Sequence, residues 1–80
     1  MKILDLKDIE NILFEVFCIK KFPKKIEELK YEDFKEWDSL GNFNLLLAIE
    51  EFYSVRFTMD EITNIRSVEE LLYSLKNKLK

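Results

Sequence analysis

Only one glycine (Gly41) and one proline (Pro23) punctuate this chain of 80 residues. Hairpins and tight turns draw heavily on both residue types, so their scarcity argues against a β-sandwich and for helices joined by ordered loops. With 48% of its residues apolar, the chain has enough hydrophobic mass for one small core, close to the size at which a single core is only just sufficient. The expectation is one domain over residues 1–80, all-α: a small four-helix bundle of three main helices and one short one, with a long loop between the first two.

A first helix is predicted from about Asp5 to Lys20. Leu6, Ile9, Ile12, Leu13, Val16 and Phe17 recur there at the three- and four-residue spacing of one buried stripe. Lys20 and Lys21 suit the negative end of its dipole, and Pro23 forbids continuation. The connection from Phe22 to Asp38 is long for so small a domain, and Ile26, Leu29, Tyr31, Phe34 and Trp37 are its expected anchors, with room for a short helical turn. A second helix is predicted over Ser39–Tyr53, with Asp38 or Ser39 as its cap. Thr58 with Glu61, and Ser67 with Glu70, form capping-box patterns that open segments at about 59–64 and 68–79. The last carries the stripe Val68, Leu71, Leu72, Leu75 and Leu79, and lysines 76, 78 and 80 fall at its C-terminal end.

Several function classes drop out on composition. The chain has no histidine and one cysteine, Cys18, which removes the commonest general base and any structural zinc site and leaves no internal disulfide. Cys18 itself reads as a small buried or half-buried residue of the first helix. A net charge of −3 is wrong for a general nucleic-acid binder. The local basic group at Lys20, Lys21, Lys24 and Lys25 is short, balanced by nearby acids, and reads as a solvated helix end. The residues Met1-Lys2-Ile3-Leu4-Asp5 lack the apolar core of a signal peptide, and no run is long enough to span a bilayer. The sequence therefore predicts a cytoplasmic protein without membrane insertion. It also predicts a protein that is not itself an enzyme, for no phosphate-cradling glycine loop or nucleophile–base pattern is present.

The second helix is apolar on more than one face. Projected at the helical period, Leu45, Ile49, Phe52 and Tyr53 share the face expected to pack on the first and last helices, with Leu46 and Ala48 at its margins. Leu40, Phe43 and Leu47 form a second stripe at i, i+3 and i+7, which Glu51 extends. Two outcomes are open for that stripe: the long loop folds over it, or it stays exposed and meets a partner.

Ser39 taken alone is a helix cap. A serine hydrolase is a poor reading, because Ser39 sits in neither a Gly-x-Ser-x-Gly turn nor a Ser-x-x-Lys motif. The wider segment says more. Trp37-Asp38-Ser39-Leu40, followed by Leu45-Leu46-Leu47-Ala48-Ile49-Glu50-Glu51-Phe52-Tyr53, resembles the phosphopantetheine attachment region of acyl carrier proteins. In that family an Asp-Ser-Leu triplet opens the second helix, and an apolar run ending in Glu-Glu and an aromatic follows at this spacing. Phe57 stands where the family has an aliphatic residue, and Ile65-Arg66-Ser67-Val68 resembles its Ile-Thr-Thr-Val approach to the last helix. From Trp37 onward the likeness needs no gap; the first 36 residues match only in character.

This resemblance implies a 4′-phosphopantetheine arm on Ser39, flanked by Asp38 and Leu40. A phosphopantetheinyl transferase would donate it from coenzyme A with a metal ion, so the carrier needs no base of its own. The thiol of the arm, not Cys18, would hold an acyl group as a thioester for acyl-activating, acyltransferase or synthase enzymes, and the carrier would be a monomer. Leu40, Phe43, Leu47 and Glu51 match positions the family uses to meet partners. Ile49, Phe57, Ile62 and Ile65 match positions that can line an acyl-chain cleft, and without a cargo all four read as plain core.

The chain departs from fatty-acid carriers in charge. Gly41, Asn44 and Arg56 stand where acids are common, and between Leu40 and Tyr53 only Glu50 and Glu51 are charged. The pattern Trp-Asp-Ser-Leu-Gly-Asn-Phe-Asn looks more like dedicated carriers of secondary or cell-surface polysaccharide pathways. Two alternatives stand beside an acyl carrier: an aminoacyl or peptidyl carrier, and an unmodified helical interaction module docking through Leu40, Phe43 and Leu47.

Overall fold

The computed structural model describes residues 3–79 and is all-helical. Helix α1 is Leu6–Phe17, α2 is Ser39–Tyr53, α3 is Met59–Asn64 and α4 is Val68–Lys78, with one 3₁₀ turn at Ile26–Glu28 inside the long loop. Among the described residues there is no strand, only an isolated antiparallel bridge between Lys30 and Ser67. A radius of gyration of 11.5 Å is what one compact body of this length requires. The expected four-helix bundle is thus present; Lys80, assigned to the end of the last helix, lies outside the described residues, as do Met1 and Lys2.

Helix α1 is shorter than its periodicity suggested. Asp5 caps it, accepting from the Lys7 N–H at 2.9 Å, and it ends at Phe17 because Cys18 turns left-handed with φ 53°. Pro23 is therefore not the stop, and Lys20 and Lys21 lie beyond the helix rather than on its last turn. The turn at Cys18 brings Phe22 back to stack on Phe14 at 4.6 Å between centroids, while Phe17 meets Phe34 at 5.1 Å and Trp37 at 5.4 Å. Burial of this aromatic cluster outweighs one more helical turn, since each ring removes a large apolar area from water. Cys18 is exposed, contrary to the sequence reading, because as the cap it points off the buried stripe.

The core draws Ile9, Ile12, Leu13 and Phe17 from α1, Leu45, Leu46, Ile49 and Tyr53 from α2, and Val68, Leu71 and Leu75 from α4. Leu46 is fully buried, not marginal. All five expected loop anchors pack: Ile26, Leu29 and Trp37 are buried, and Tyr31 and Phe34 lie half-buried against them. Backbone bonds tie this loop to the start of α4, the Tyr31 N–H donating to Arg66 O at 2.7 Å and the Val68 N–H to Leu29 O at 2.9 Å. Asp33 closes the loop on itself. Burial alone would raise its pKa, but the Lys30 N–H at 2.9 Å and Lys24 Nζ at 3.2 Å outweigh that and hold the carboxyl below its usual range.

The two capping boxes turn out differently. Thr58 and Glu61 exchange both bonds, at 3.1 and 2.8 Å. Ser67 accepts from the Glu70 N–H, but Glu70 reaches one residue further back, to the Arg66 N–H at 3.0 Å. Glu61 also joins α3 to α4, through Lys78 Nζ at 3.0 Å and the Ser74 hydroxyl at 3.1 Å.

Candidate functional site

The start of α2 is fixed by four adjacent roles. Asp38, in extended backbone, is the cap: its Oδ1 accepts from the Gly41 N–H at 2.8 Å. Ser39 is then the first helical residue and its hydroxyl has no capping duty. Gly41 allows the close approach of α1 and the loop, since a Cβ there would collide with the Glu36 carbonyl oxygen and come within 2.9 Å of Phe17 Cε1. A larger side chain at this position is therefore opposed by sterics. Asn42, only 6% exposed, accepts from Trp37 Nε1 at 2.9 Å and donates to Ile65 O at 3.0 Å and, more weakly, Ile62 O at 3.5 Å.

Ser39 is exposed, and its Oγ lies 3.0 Å from the Tyr31 hydroxyl. The Arg66 guanidinium stands over the Tyr31 ring at 4.9 Å, steadied by its Nε donating to Thr63 O at 3.1 Å. Beside Ser39 is a half-open cavity of 180 Å³, walled by Tyr31, Asn42, Phe43, Ile62, Thr63 and Arg66. Arg66 is its one charged wall. The larger groove of 680 Å³ lies elsewhere, between α3 and α4, and does not include Ser39.

The second stripe of α2 is not covered by the loop. Leu40, Phe43 and Leu47 are 67%, 42% and 43% exposed, with Glu51 exposed beyond them. The loop instead spends its apolar anchors on α1 and α4. The four cleft candidates are not brought around one cavity. Ile49, Phe57 and Ile65 are buried in the core, whereas Ile62, half-buried, walls the cavity beside Ser39.

Sequence reasoning passed over Asn42, and treated Tyr31 only as an anchor and Arg66 only as part of a likeness. A signal for Asn42 was present: it lies three residues before Leu45 and seven before Ile49, on the buried stripe, where an amide must find partners. Nothing local marks Tyr31 and Arg66. Glu50, read as part of the Glu-Glu ending, accepts from the Phe57 N–H at 2.7 Å and so orders the turn after α2.

No protein-family model matches the chain, and no match is found among curated proteins or solved structures. Among the described residues no helix is long and apolar enough to cross a membrane, and no cluster of potential ligands could hold a metal ion.

Proposed function

We propose that the chain is a carrier whose Ser39 bears a 4′-phosphopantetheine arm and presents a thioester-bound acyl group to partner enzymes. The observation that carries this reading is the state of Ser39: an exposed hydroxyl on the first residue of a 15-residue helix, relieved of capping by Asp38. A serine needed as the cap would lose its capping bond on modification; this one has none to lose.

The surroundings fit the group. A phosphodiester on Ser39 would sit by the free N–H groups of the first turn, where the helix dipole favours negative charge. The cavity beside it can take the root of the arm. In the loading step, Ser39 Oγ attacks the coenzyme A phosphorus nearer the pantetheine. The Oγ–P bond forms as the P–O bond to adenosine 3′,5′-bisphosphate breaks, and the hydroxyl proton passes to the transferase. When bound, the arm supplies the thiol that holds the cargo.

Leu40, Phe43 and Leu47 give partners an apolar surface next to the arm, with Glu51 as the nearest charge on that stripe. The sparse charge of α2 favours a pathway other than general fatty-acid synthesis, because electrostatic steering of basic synthase enzymes would be weak. The same exposed strip also favours a second reading, an unmodified docking module.

Intact-protein mass spectrometry after incubation with coenzyme A, magnesium and a promiscuous phosphopantetheinyl transferase separates the two. One added phosphopantetheine on the wild type and none on Ser39→Ala is the expected result. A wild type left unmodified by two different transferases would refute the carrier reading and leave the docking module. For the pathway, extension of a loaded chain by fatty-acid synthase enzymes as fast as on a housekeeping carrier would overturn the specialised assignment.

A further inference from the structure

Three features of the cavity beside Ser39 bear on what it could hold. The Tyr31 hydroxyl points at Ser39 Oγ rather than at backbone, 3.0 Å away. Arg66 stacks over the same ring, yet makes no ion pair among the described residues. The other walls, Asn42, Phe43, Ile62 and Thr63, carry no charge, so the cavity has one sign.

The nearby carboxylates are engaged elsewhere. Asp38 is held on the Gly41 N–H, and Glu70 takes the Arg66 N–H and the Ser67 hydroxyl. A guanidinium held by stacking and by one bond from Nε keeps its terminal nitrogens available for a planar, bidentate partner. A phenol beside it offers a neutral donor. This is the equipment of a site for a singly charged phosphodiester, with the Ser39 hydroxyl on its rim.

We propose that Tyr31 and Arg66 form a cradle that grips the phosphodiester of a Ser39-linked arm and lays the root of the arm into the cavity against Ile62 and Thr63. The proposal rests on the carrier reading above and adds to it two positioning residues and a resting place for the arm. On modification, the Tyr31 hydroxyl exchanges its bond with Ser39 Oγ for one to a phosphate oxygen, and Arg66 adds a charge-assisted bond. In a site open to water on one side such bonds bias the arm without locking it, so a partner can still draw it out.

The test uses the holo chain made with coenzyme A, magnesium and transferase, in the wild type, Arg66→Gln and Tyr31→Phe, each checked by mass for complete modification. Backbone amide spectra of apo and holo forms are compared, together with the ³¹P resonance. In the wild type, modification is expected to move the amides of Ile62, Thr63 and Arg66 across the cavity, as well as those of Ser39 and its own turn. In Arg66→Gln the cross-cavity shifts should collapse while those at Ser39 remain. Tyr31→Phe, which keeps the ring under Arg66, should displace the ³¹P resonance and reduce the cross-cavity shifts. Shifts confined to residues 38–42 in the fully modified wild type, or a pattern unchanged in Arg66→Gln, would overturn the cradle and leave the carrier reading intact. A wild-type chain that accepts no arm would remove both.

Discussion

Replacement of Asn42 by alanine should be the most damaging single change near Ser39, although Asn42 itself is almost wholly buried. Its side chain is 6% exposed and joins three separate parts of the chain: Trp37 before α2, α2 itself, and the carbonyls of Ile62 in α3 and Ile65 just after it. Alanine leaves Trp37 Nε1 and Ile65 O buried without partners. Each orphan costs about 1–3 kcal/mol, so the expected loss is about 2–6 kcal/mol. An 80-residue domain commands only about 4–12 kcal/mol in total. Urea denaturation followed by the single tryptophan reads the effect at its source. With a slope of about 1 kcal/mol/M for so small a domain, the midpoint should fall by about 2 M or more, and a marginal variant would be unfolded without urea. Asn42→Asp is the discriminating partner experiment. It keeps the acceptor for Trp37 but turns a carboxylate toward two carbonyls, so it should be at least as harmful at neutral pH and recover in part in acid, where the protonated acid can donate again. A loss below about 1 kcal/mol for Asn42→Ala would refute the reasoning, because it would mean that water or a shift of the loop satisfies both groups.

Other consequences follow from single contacts. The Tyr53 hydroxyl is buried with no partner at hydrogen-bond distance among the described residues, and burial, with the Asp8 and Asp5 carboxylates adding to it and the nearby Asp5 backbone opposing it, pushes its pKa up. Tyr53→Phe should therefore be neutral or raise stability by up to about 1 kcal/mol in thermal melts; a clear loss would reveal a bond at that hydroxyl. Gly41→Ala gains about 1 kcal/mol of helix propensity but forces apart α2, Glu36 and Phe17, at about 1–3 kcal/mol, so a net lower Tm is expected. Glu61 is held below the usual glutamate range, first by the Thr58 N–H and then by Lys78 and Ser74, with burial opposing. Because its folded pKa is depressed, its contribution is present above the unfolded value of about 4.3 and lost as pH falls through the folded value. Glu61→Gln should flatten that part of the acid limb of stability against pH, and an unchanged limb would locate acid sensitivity elsewhere.

Much of this protein was legible one residue at a time. The helical stripes, the Thr58–Glu61 box, the cap at the start of α2 and the apolar anchors of the long loop depend on spacing and on side chains reaching their own backbone a few residues away. Local physics of that kind is written in the sequence. The end of α1 was not, because Cys18 turns left-handed so that Phe22 can stack on Phe14, and the gain arises in a cluster that also needs Phe34 and Trp37. Nor was the exposure of Leu40, Phe43 and Leu47, which hangs on where the loop spends its own anchors. The site divides along the same line. Ser39 and its flanking Asp38 and Leu40 were singled out by the family resemblance of the segment around them, since Ser39 taken alone reads as a cap. Only the tertiary structure brought Tyr31 and Arg66 to Ser39, and tied Asn42 to carbonyls 20 and 23 residues away. Those meetings are set by the packing of α2 against the rest of the bundle, and no local rule of spacing encodes them.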